Sequence, residues 1–170
     1  EGRLGLALGL AAFGFWGLFP LYFKALDTVP PLELLGQRVV WSVPLLALLV
    51  HHRRWWPQVA AAVRDRRVLR VLLATTVLIA VNWLLFIWAV VNDQILQASL
   101  GYFINPLVSV FLGVALLKER LTRTGVVSVT LAGLGVGYLT VVGGQLPVVA
   151  LVLAFSFGLY GLLRKTAAVG

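Results

Sequence analysis

Neither cysteine nor methionine occurs in these 170 residues, and only six are acidic and two are histidine. Without cysteine there are no disulfides and no thiolate-bound metals. The two histidines, His51 and His52, are adjacent and lack companion ligands, so they read as solvated loop residues and no metal site is expected. Nothing in the chain calls for a cofactor. Charge is also scarce, at 12% of residues against 61% hydrophobic, whereas a soluble domain of this length alternates apolar faces with polar ones. A chain that starts at Glu1 without an initiator methionine, and stops soon after its last apolar run, is expected to be part of a longer protein. The first run is too long, and too closely followed by another, for a cleaved signal peptide.

Six apolar runs fill most of the chain: residues 4–26, 31–50, 68–91, 95–117, 124–142 and 147–163. About 20 mainly apolar residues let a helix cross the hydrocarbon core. Lipid offers no partner to backbone polar groups, so each run is expected to be a helix. The fold class is therefore all-α, a polytopic membrane protein with six transmembrane helices and the lipid bilayer as its first partner.

The net charge of +8 is unevenly placed. Arg53, Arg54, Arg64, Arg66, Arg67 and Arg70 crowd the second connection and its margins, Lys118, Arg120 and Arg123 the fourth, and Arg164 with Lys165 follows the last run. The other connections hold Asp27, Asn92-Asp93-Gln94 and Gly143-Gly144-Gln145, without Lys or Arg. This alternation obeys the positive-inside rule and puts the N-terminus in the cytoplasm. The basic residues thus report topology, and no nucleic-acid partner is expected. Outer connections of three or four residues predict tight antiparallel hairpins. The longer segment 51–67 carries Trp55-Trp56-Pro57 and predicts a short helix lying on the cytoplasmic interface.

Ala12-Phe13-Gly14-Phe15 of the first span recurs as Ala154-Phe155-Ser156-Phe157 of the sixth. The copies start five spans apart and so run in opposite directions, as in the inverted repeats of secondary transporters. Residues 1–146 then form a first repeat, and 147–170 the first helix of a truncated second one.

Polar residues inside the spans are costly and informative. Arg38 lies roughly 10 Å into the second span, beside Gln37 and one turn from Glu33. It either snorkels outward or faces a water-filled cavity. Lys24, one turn after Pro20, has the same two readings. The fourth span places Ala98, Tyr102, Asn105 and Ser109 on one face. Its Pro106 cannot donate a backbone hydrogen bond and leaves the Tyr102 carbonyl needing another partner at mid-membrane depth. That is either a structural kink or the place for a transport site. Thr75, Asn82 and Trp83 on the third span are candidates to line the same cavity, with Asn82 within reach of Asn105. Gly5 with Gly9, and Gly133 with Gly137, are spaced to let helix backbones approach.

Several segments resemble RarD proteins, the chloramphenicol-sensitivity branch of the EamA-like permeases in the drug/metabolite transporter superfamily. They are GLFPLYFK at 17–24, ELLGQRVVWS at 33–42, NWLLFIWAV at 82–90, ASLGYFINPL at 98–107 and LAFSFGLYG at 153–161. Gln37 stands where RarD proteins often have histidine, which weakens a proton relay there. The resemblance implies a ten-helix inverted-repeat transporter, of which this chain holds the first five-helix repeat and the first helix of the second. It implies a secondary transporter, an exporter rather than an importer, of small metabolites or drugs across the bacterial inner membrane by alternating access. Its partners would be a small-molecule substrate and either the missing C-terminal repeat or a second copy in a homodimer. Lys24, Arg38, Asn82, Trp83, Tyr102, Asn105 and Pro106 are the expected pathway residues. The alternative is a non-transporting membrane partner subunit. An enzyme is not expected, since no cysteine, intramembrane histidine or convergent carboxylate set is present.

Overall fold

Backbone amides buried in hydrocarbon must pair within their own segment, and the chain meets that demand with helices. The computed structural model describes residues 2–144 and 146–166, and every regular element among them is α-helical. They are α1 (Gly2–Lys24), α2 (Pro31–His52), α3 (Trp56–Arg64), α4 (Arg66–Val91), α5 (Ile95–Leu117), α6 (Arg123–Gly143) and α7 (Val148–Thr166). All but α3 are long and apolar enough to cross a membrane. Gln145, in one of the expected connections, lies outside the described residues.

Local chemistry sets the boundaries. Asp65 opens α4 by accepting hydrogen bonds from the backbone N–H of Arg67 at 2.8 Å and of Val68 at 3.2 Å. That cap satisfies two of the four free amides at a helix start. Thr122 does the same for α6 through the N–H of Gly125. α5 ends on Lys118 in the left-handed conformation, φ 55°. Its Pro106 does not interrupt the helix.

The core lies between α4, α5 and α7. α7 runs parallel to α5, and Ala150, Ala154 and Gly158, four apart, put small residues on their shared seam. A Cβ at Gly101 would stand 3.0 Å from Leu153 Cβ, and one at Gly158 would stand 2.8 Å from Val108 Cγ1. The backbones approach here because these side chains are missing. The glycine pairs singled out from sequence do otherwise. A Cβ at Gly5, Gly9, Gly133 or Gly137 would meet nothing within 4 Å. α1 and α6 stand at the periphery, α1 packing chiefly on α4 and α6 on α5, and their glycines lie away from those contacts.

Of the three expected hairpins, α4 and α5 do pack on each other, whereas α6 packs chiefly on α5 rather than on α7. The turns are short, but α1 and α2 each pack mainly against α4 rather than on each other. The reason is side-chain size: Phe19 and Phe23 of α1 meet α4 rings edge to face, and the Arg38 guanidinium of α2 lies over the Trp83 ring of α4.

Charge pairs fasten both ends of the bundle. At one, Lys24 Nζ lies 2.9 Å from Asp93 and 3.8 Å from Asp27, joining α1 to the α4–α5 turn. At the other, Glu119 folds back over Gly113 and pairs with Lys165 of α7.

Candidate functional site

A cavity of about 530 Å³ opens between α1, α4, α5 and α7. Its walls are aromatic: Trp16 and Phe19 from α1, Trp83 and Phe86 from α4, Tyr102 from α5, and Phe157 from α7. The rings hold one another edge to face, which aligns ring edges with electron-rich faces. Phe19 meets Trp83 at 6.2 Å and 77°, Trp83 meets Phe86 at 5.8 Å and 83°, and Phe86 meets Tyr102 at 5.8 Å and 74°. Polar lining is sparse, from Asn82 and Ser99.

Arg38 stands behind this wall. Its guanidinium carbon lies 4.0 Å from the centre of the Trp83 ring, with Phe23 at 5.6 Å and Phe19 at 5.7 Å. A guanidinium over aromatic faces is held by the ring quadrupoles, more strongly where water is excluded. Its Nη1 is sealed from solvent and has no hydrogen-bond acceptor among the described residues. Arg38 thus forms no ion pair among the described residues and turns its guanidinium onto rings. It clamps α2 onto α1 and α4.

The remaining candidates separate. Asn82, only 5% exposed, spends its amide on α7, donating to the Leu153 carbonyl at 2.8 Å and to Ser156 Oγ at 2.9 Å. Asn105 is half-buried on the flank of α5, outside the cavity lining, and its Oδ1 has no donor among the described residues. Pro106 borders an adjoining recess of about 500 Å³ shared with Ser99, Tyr102 and Phe103. Lys24 is engaged at the bundle end. The structure therefore gathers Asn82, Trp83 and Tyr102 on one cavity, sets Arg38 behind it and Pro106 beside it, and leaves Lys24 and Asn105 off it. Sequence reasoning did not single out Trp16, Phe86 and Phe157 as lining residues, nor Ser156 as the partner of Asn82. Ser156 is the polar residue of the repeated Ala-Phe-Ser-Phe segment, which was its only signal.

A helical bundle around an aromatic cavity is common to many membrane proteins, and comparison with known sequences decides between them. Residues 3–141 match the family model described as the EamA-like transporter family. The chain belongs to that family. It is 48% identical over 97% of its length to an uncharacterized transporter of Vibrio cholerae, and 46% identical over 98% to the protein RarD of Escherichia coli. It is 33% identical over 97% to the chloramphenicol-sensitive protein RarD of Pseudomonas aeruginosa. The chain spans about 55% of the Vibrio relative and 56% of the other two. No solved structure matches it. As a member of the EamA-like family with six apolar helices, it is a multi-pass membrane protein.

Proposed function

We propose that this chain forms one wall of the pathway of a secondary transporter in the bacterial inner membrane. The protein exports small, largely apolar metabolites or drugs by alternating access between two inverted repeats. The N-terminus is cytoplasmic, residues 1–146 are the first repeat, and α7 opens the second. The observation that carries this reading is the aromatic cavity between α1, α4, α5 and α7. α7 supplies Phe157 to its lining and is bonded to α4 through Asn82. The rings suit a flat apolar body, since aromatic walls with few polar groups favour such ligands. Trp83, Tyr102 and Asn82 face the solute. Arg38 contributes positive potential from behind Trp83 and Phe19. Pro106 gives α5 a point of reduced hydrogen bonding beside the pathway. Lys24 and Asn105 serve its margin, the one as an end fastener and the other toward the absent remainder of the second repeat.

The test is solute flux by the full protein in proteoliposomes, with a substrate panel and imposed pH gradients. Tyr102→Ala and Trp83→Ala should each lower flux at least tenfold while membrane insertion and abundance stay near wild type. Unchanged flux in both variants would sink the cavity reading. Absence of flux from the wild type across the whole panel would favour the partner-subunit alternative instead.

A further inference from the structure

The densest charge in the molecule lies outside the cavity, where the transport reading gives it no task. Between His51 and Arg70 there are six arginines, Arg53, Arg54, Arg64, Arg66, Arg67 and Arg70, against one acid, Asp65. All six side chains are exposed, and none forms an ion pair among the described residues. Asp65 forms an ion pair with none of them; its Oδ1 accepts the two amide bonds that start α4, and its one negative charge leaves five of the six positive charges unbalanced. Arg70 Nε donates to the Arg66 carbonyl, which holds that guanidinium along the first turn of α4.

The same segment carries an unpartnered apolar edge. α3 rests on α4 and still exposes Trp56, Val59 and Val63, which recur at helical spacing along one side, with Trp55 just ahead of them. Arg54 turns the chain between α2 and α3 with φ 58°. Arg53 lies over the Trp55 ring at 5.8 Å. Tryptophans at headgroup depth, with arginines beside and beyond them, mark a helix lying in the interface of a bilayer.

We propose that α3 and the flanking arginines form a binding site for anionic phospholipid headgroups, in which the guanidiniums pair with a phosphodiester whose charge no choline ammonium offsets. A guanidinium offers paired donors that match two phosphate oxygens. Clusters of four to eight basic residues beside a membrane helix attract anionic lipid, and the attraction fades within a Debye length. The exposed valines tell this surface from a nucleic-acid patch, because acyl chains cover them, whereas bases stack on tryptophans and would leave Val59 and Val63 in water. The site fastens the α2–α4 connection to one leaflet, and it does not depend on which solute the cavity takes.

The experiment reconstitutes the full protein with spin-labelled phosphatidylglycerol or spin-labelled phosphatidylcholine and measures the motionally restricted fraction of each. The wild type should prefer phosphatidylglycerol at least threefold. Replacing all six arginines by glutamine should bring the ratio close to one. Because that variant can misfold, the wild type is also titrated to about 0.5 M NaCl, where the preference should fall by at least half as screening shortens. Arg66→Lys with Arg67→Lys should keep most of it. Equal restriction of the two lipids by the wild type overturns the proposal. So does a preference that survives both salt and the loss of the arginines.

Discussion

Asn82→Ala is the most informative single change in the bundle. Its amide makes two hydrogen bonds to α7 from a site only 5% exposed, at 2.8 Å to the Leu153 carbonyl and 2.9 Å to Ser156 Oγ. Interhelical hydrogen bonds within membranes average about 0.6 kcal/mol and reach about 1.7 kcal/mol. The loss is held down because no group is orphaned: Ser156 Oγ still donates to the Leu153 carbonyl at 3.1 Å. Two such bonds come to about 1–2 kcal/mol, a five- to thirty-fold shift in the folding equilibrium. Ser156→Ala should cost less, since Asn82 keeps the carbonyl. Unfolding in mixed micelles, followed by circular dichroism for both single variants and the double variant, gives a coupling energy. A value near 0.5 kcal/mol or above is expected for a direct bond. If Asn82→Ala is no more costly than alanine at lipid-facing Leu131, α4 and α7 are not joined in this way.

The α5–α7 seam makes a paired prediction: Gly158→Ala should destabilise by about 1–3 kcal/mol, because its Cβ would press on Val108 at 2.8 Å. Gly135→Ala on α6 should be neutral or stabilising, since nothing lies within 4 Å of that position and alanine is the better helix former; thermal melts that rank the two oppositely refute the packing account. The chain has no native cysteine to interfere with labelling, so Asp93→Cys should react with an impermeant thiol reagent on intact cells and Arg66→Cys should not. The reverse pattern inverts the topology. Residues 1–170 alone should support no solute flux in proteoliposomes, because an inverted-repeat pathway needs both walls; substrate-specific flux from that chain would defeat the inverted-repeat reading.

The number, length and helical state of the membrane spans were legible in the sequence, because hydrocarbon admits few alternatives for 20 apolar residues. The separate helix at Trp56 was legible from its tryptophans and arginines. Which helices touch was not. Every face of a span is apolar, so periodicity does not point to a core as it does in water. Small residues were the available signal, and the pairs at Gly5 and Gly133 were as plausible on paper as Ala150, Ala154 and Gly158. Only the third set packs. For the candidate site, residue type singled out Asn82, Trp83 and Tyr102, which the fold brings to one cavity, because a buried amide and large rings on neighbouring spans are the groups with most to gain from a partner. It could not tell that the Asn82 amide turns to α7, or that Arg38 would find rings rather than a carboxylate, since both depend on the neighbour that each helix meets.

The two charge pairs lie at opposite ends of the bundle and hold different walls of the cavity. α1 is pinned where Lys24 meets Asp93, and α7 is pinned where Lys165 meets Glu119. α1 packs on the bundle chiefly near its pinned end, its residues 10–18 being exposed, whereas α7 is also seated on α5 near its other end, where Ala150 and Leu153 meet Gly101. The two walls are therefore unequally fastened: the first is free along most of its length, and the last is wedged into the bundle from end to end.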